Sequence, residues 1–151
     1  MIMEDTLLRL AVAVLLGGLV GLERTVAGKH AGMRTYALVS LGSCLFIVVG
    51  TLASFELSVF NGLNPLVVAS NIILGVGFIG AGLAVFRNNG AAHVELTTAA
   101  GIWVVAAVGM AAGFGFFSIA AVSAVLAVLV FSVLLRLENM IRRRFGTELE
   151  Q

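Results

Sequence analysis

Charge is what this sequence has least of. Of its 151 residues only 11% are charged and 60% are hydrophobic, with a mean hydropathy of +1.11. A soluble domain carries roughly 25% charged residues, so this chain has too little polar surface to cover a water-facing core. The class is integral membrane protein. Cys44 is the only cysteine, which excludes an internal disulfide. Pro65 is the only proline and precedes a long apolar run. The acidic start, Met1 to Thr6, lacks a positive n-region and a small-residue cleavage site, so the first apolar segment is expected to stay as a span. There is no Ser-His-Asp set and no defensible catalytic carboxylate pair, so no enzymatic activity is expected. Net charge is +1; bulk charge singles out no partner, and nucleic acid is not expected as one.

What is present is apolar sequence cut by short charged breaks. The breaks divide the chain into spans at about 7–22, 35–54, 66–86, 96–112 and 116–135. From Leu96 to Leu135 no residue is charged. At ~1.5 Å per residue such a helix would be about 60 Å long, twice the ~30 Å hydrocarbon core, so it must fold back, with Ala112 to Gly115 as the turn. The expected fold is all-α with five transmembrane helices, in one domain over residues 1–145 with a tail at 146–151. The first span is the shortest.

Basic residues test that count. With five spans, the 1–2 loop, the 3–4 loop and the C-terminal end share one side. They hold Arg24, Lys29, Arg34, Arg87, Arg136, Arg142, Arg143 and Arg144; the other side holds only Arg9. Positive residues favour the cytoplasmic side, which predicts the N-terminus outside and the C-terminus inside. The basic cluster after Leu135 admits two readings, a topology anchor or a binder of anionic lipid.

The densest charge lies between Gly21 and Thr35. Glu23 and Arg24 close span one and Arg34 opens span two, so Glu23 is expected to pair with Arg24 or Arg34. Glu95 precedes Leu96 and favours the positive N-terminal end of span four. Glu23, Arg24, Arg34, Arg87 and Glu95 are thus expected to meet at the inner face, as an ion vestibule or as a fastening of helix ends. His30 and His93 lie in the inner loops without ligand partners at suitable spacing. No metal site is assigned and no cofactor is expected.

Within the spans, polar groups are few. Asn71 is the only carboxamide, and an amide in lipid needs partners; Ser40, Ser43 and Ser70 are candidates. It either lines a substrate path or fixes packing. Thr97 and Thr98 are the other intramembrane polar residues of interest. Gly17 and Gly21 continue a small-residue stripe from Ala13, and Gly75, Gly77, Gly80 and Gly82 thin span three on two faces. Such residues permit close helix approach, so span three is expected to be central, or to meet a dimer partner. Gly77 and Gly80 echo a nucleotide-binding loop, but that loop joins a strand to a helix in water. Trp103, deep in span four, is expected to pack. No Asp, Glu, Lys, Arg or His lies at mid-membrane depth, which weighs against a self-contained pump. Mg²⁺, which keeps much of its water, and exposed backbone carbonyls leave a channel open.

Three blocks, in order, resemble the MgtC/SapB family of bacterial inner-membrane proteins. Gly21-Leu22-Glu23-Arg24 followed by Ala31 to Gly42 is similar to its G-L-E-R…A-G-L-R-T-H-A-L-V-x-L-G signature. Gly75 to Gly82 resembles G-I-G-F-L-G-A-G, and Leu96 to Val104 resembles L-T-T-A-A-x-x-W-V. Together they cover most of residues 21–109. The resemblance implies a five-span inner-membrane protein linked to magnesium and ion homeostasis. Its expected action is modulation of other inner-membrane proteins; the alternatives are a homodimeric channel or transporter for Mg²⁺ or another cation, and a structural module without ligand. The expected partners are the lipid bilayer, a second copy, and other inner-membrane proteins. Four positions depart from the family pattern. Asn64-Pro65-Leu66-Val67 replaces D-P-x-R, Asn71 stands for a Gln, and Glu95 stands for a Gly. Many members carry a soluble C-terminal domain, and this chain resembles the short members.

Overall fold

A computed structural model describes residues 2–56, 64–84, 87–88, 91–92 and 96–145. Helix α1 runs Ile2–Val26, α2 Met33–Glu56, α3 Pro65–Ala84, α4 Leu96–Gly113 and α5 Phe117–Leu129. A π-helical turn at Val130–Leu134 joins α5 to α6, Leu135–Phe145. Five helical segments are long and apolar enough to cross a membrane. Two short strands, β1 (Arg87–Asn88) and β2 (Ala91–Ala92), pair antiparallel with Arg87 opposite Ala92.

Helix α1 is longer than its apolar run. Its first turn contains Glu4 and Asp5, which suit the positive end of a helix dipole, and Asp5 pairs with Arg9 one turn on, at 2.7 Å. Its 25 residues reach about 37 Å at ~1.5 Å per residue, enough to cross the hydrocarbon. Both α1 and α4 end in paired reverse bonds that satisfy terminal carbonyls. Lys29 N donates to Arg24 O and Gly28 N to Thr25 O; Phe116 N donates to Ala111 O and Gly115 N to Ala112 O. The pivots are Gly28 and Gly115, with φ of 68° and 81°. Asn64 Oδ1 accepts from Leu66 N at 2.9 Å, so the Asn-Pro pair starts α3 as cap and first residue.

The central helix is α4, not span three as the glycine pattern suggests. Half of α4 (50%) is buried against 6% of α3. Helix α4 packs on α1, α2, α3 and α5, whereas α3 meets only α2 and α4 among the described elements. The inward side of α3 is Val68, Ile72 and Val76, at the four-residue spacing of one helix face. Trp103 also departs from expectation: it is 51% exposed on the outer side of α4.

Candidate functional site

The tightest part of the molecule is the seam where α1, α2 and α4 cross. A Cβ on Gly17 would sit 2.6 Å from Ser40 Cβ, and one on Gly21 would sit 2.7 Å from Met33 Cα and Tyr36 Cβ. Across the seam, a Cβ on Gly113 would sit 2.8 Å from Ile47 Cβ and 2.9 Å from Cys44 O, while one on Gly109 would collide with the Ser40 carbonyl oxygen. Backbones here touch without intervening side chains, as small residues in membrane helices allow. Gly17 and Gly21 lie in this seam, and Gly101, Gly109 and Gly113 belong to it as well.

At one end of the seam lies a buried polar group. Arg24 is 2% exposed and pairs through Nε with Glu23 Oε2 at 2.5 Å. Its guanidinium lies 3.8 Å from the centroid of the Phe131 ring, a cation–π distance. Phe131 belongs to the π-helical turn. Gly101 leaves room for the ring and for the Tyr36 hydroxyl, since a Cβ there would strike both. Tyr36 is fully buried and donates to the Thr98 carbonyl at 3.2 Å. Thr98 is buried, while Thr97 is exposed. Thr25 ties the loop: its hydroxyl lies 3.1 Å from Gly21 O and accepts from Met33 N at 2.9 Å.

The pairing expected for Glu23 is thus made with Arg24. Arg34 is exposed and forms no ion pair among the described residues. The backbone of Arg87 lies in β1, but its side chain, like Glu95 and His93, lies outside the described residues. The five-residue convergence is seen only in its Glu23–Arg24 part. No group of three or more His, Cys, Asp or Glu suited to a metal occurs among the described residues.

The opposite end is closed by Arg9. Its Nη1 donates to the Gly113 carbonyl at 2.7 Å while Nη2 holds Asp5. A cation thus sits on the negative C-terminal end of α4 and fixes α1 to the α4–α5 turn.

Asn71 stands apart from both ends. It lines an open groove of about 560 Å³ between α2 and α3, with Ser43, Phe46, Gly75 and Ile79 among its neighbours. Of its candidate partners, Ser70 donates to its own helix at Val67 O, and Ser40 Oγ is buried without a partner. Among the described residues, a Cβ added at Gly75, Gly77 or Gly82 would meet nothing within 4 Å, and one at Gly80 would lie 3.7 Å from Ala99 Cβ, so only Gly80 of the four faces a described neighbouring helix.

Residues 10–140 match the MgtC family. The chain is 40% identical over 131 residues to "Putative magnesium transporter YhiD" of Escherichia coli K12, covering 85% of this chain and 60% of that protein. It is 42% identical over 125 residues to Protein MgtC of Brucella abortus, covering 83% and 49%. It is 38% identical over 139 residues to Protein SrpB of Synechococcus elongatus, covering 87% and 76%. The chain spans 60% or less of the length of the YhiD and Brucella proteins. No solved structure matches it. Five candidate spans and relatives of this kind identify a multi-pass membrane protein. By its matched length and its relatives, the chain belongs to the MgtC family.

Proposed function

We propose that this chain acts in magnesium-linked ion homeostasis in a bacterial inner membrane by modulating membrane partners. Its N-terminus lies outside and its C-terminus inside, as the distribution of its nine basic residues favours. It carries out no chemical reaction of its own. The magnesium link rests on the family and on the name of the YhiD relative. The observation that carries the mode of action is the seam. The three helices that would have to part to form a path through the bundle are in backbone contact at Gly17, Gly109 and Gly113. The buried charge at one end is already neutralised by Glu23 and covered by Phe131. An ion pathway needs open polar depth, and the described interior offers packed glycine instead. Reconstitution in liposomes with Mg²⁺, K⁺, Na⁺ and H⁺ readouts tests this. The expected result is flux no greater than in empty liposomes; specific flux that disappears in Asn71→Leu or Glu23→Gln overturns the reading.

A second reading, a homodimeric ion channel built on α3, has one observation in its favour. Asn71 is exposed on the groove, and a Cβ at Gly75, Gly77 or Gly82 would meet no described atom within 4 Å. A carboxamide both donates and accepts, so a second copy related by a two-fold axis would satisfy Asn71 with its own counterpart.

A further inference from the structure

Helix α6 has an apolar face that no other described residue covers. Leu137, Met140 and Ile141 are 47%, 62% and 50% exposed. Their spacing puts them on one face of α6. Arg136 and Arg143, seven residues apart, flank this stripe, and Arg144 closes its far end; all three are exposed. The only acidic residue in α6 is Glu138.

Helix α6 is also placed at a definite depth. It continues α5 through the π-helical turn, so helical structure runs from Phe117 to Phe145. These 29 positions span about 43 Å at ~1.5 Å per residue, against a hydrocarbon core of ~30 Å. The excess emerges on the side of Arg24, which touches the turn through Phe131. A helix end that crosses that level keeps its apolar side chains against the acyl boundary and reaches its arginines to the phosphates.

We propose that α6 is an interfacial helix that binds anionic phospholipid headgroups of the bilayer the chain spans, through Arg136, Arg143 and Arg144. Two features select lipid over a protein partner. The apolar stripe is continuous with the lipid-facing surface of α5 and the π-helical turn, where Leu126, Leu129 and Val133 are exposed. The positive charge is complementary to an anionic leaflet, with about a fivefold preference for each arginine near the surface. The inference is independent of whether the bundle conducts ions.

The test uses the full chain carrying Met140→Trp and Trp103→Phe, so that the only indole lies on α6. It is reconstituted in equimolar phosphatidylglycerol and phosphatidylcholine, with one or the other brominated. Brominated phosphatidylglycerol is expected to quench the indole more strongly, with a relative binding constant of at least about tenfold given three arginines. The preference is expected to vanish in R136Q/R143Q/R144Q, to persist in R136K/R143K/R144K, and to weaken as salt shortens the screening length. It is expected to survive added inorganic phosphate, which distinguishes headgroups at a surface from a free-anion site. Equal quenching by the two lipids overturns the proposal. So does a preference that survives the triple glutamine variant, or an indole emission typical of water, which would assign the stripe to a protein partner.

Discussion

Replacing Gly109 with alanine gives the most quantitative prediction. A Cβ at this position would lie 2.8 Å from both the carbonyl carbon and Cα of Ser40, and closer still to its oxygen. Carbon atoms rest at about 3.5–4.0 Å, so α2 and α4 must separate by about 1 Å. The atoms in the way belong to the backbone of a buried helix, and no rotamer change can relieve them. Parting the helices also loosens Gly113 from Ile47 and Gly101 from Tyr36 along the same seam. Overpacking costs about 1–3 kcal/mol, and this site belongs at the upper end. Gly42→Ala is the matched control, because a Cβ there meets nothing within 4 Å. It should be neutral or stabilising by up to about 1 kcal/mol through helix propensity. Unfolding in mixed micelles by SDS titration, followed by circular dichroism, measures both. Equal stabilities for the two variants would refute the claim that α4 is seated on α2 by its glycines.

Other expectations concern the two ends of the bundle and its open groove. Arg9→Gln should destabilise by about 2 kcal/mol, the range for a charged hydrogen bond. Asp5→Asn should lose no more than about 1 kcal/mol, because that pair is substantially exposed; SDS titration ranks the two. Arg24→Gln should cost about 2–3 kcal/mol, less than the loss of a fully buried pair because Glu23 keeps 16% of its surface. Phe131→Leu, which removes the ring but keeps the charge pair, should cost about 1–2 kcal/mol. If α3 forms a dimer face, Asn71→Leu and Gly75→Ile should abolish crosslinking between α3 helices in membranes while leaving SDS stability unchanged.

The helical architecture was legible because its signals are local. Charged breaks delimit apolar runs, and the length of Leu96–Leu135 demands a turn. The Glu23–Arg24 neighbourhood was marked by its charge. The extension of α1 was less visible because its first turn is acidic, and acidic residues read as a boundary until Arg9 is seen to pair with Asp5. Long-range placement was not legible. Phe131 lies 107 positions beyond Arg24, and a π-helical turn that brings it inward leaves no periodic mark. The central position of α4 was missed because Gly101, Gly109 and Gly113 are fewer and wider-spaced than the glycines of α3. Yet a Cβ on any of them would strike a neighbouring element, while one on Gly75, Gly77 or Gly82 would meet nothing within 4 Å among the described residues. Glycine density in a membrane helix thus indicated the capacity for close approach, and only the structure shows which helix uses it.

Cys44 offers the most direct test of the closed seam. It is fully buried, it is the only cysteine, and its carbonyl faces Gly113. Methanethiosulfonate reagents modify the thiolate, which forms only where water reaches. In native membranes the account predicts no modification of Cys44 during an exposure that fully modifies a cysteine introduced in the exposed α1–α2 loop by Lys29→Cys. Modification of Cys44 at a comparable rate, without denaturant, would reveal an aqueous path through the seam and contradict the account.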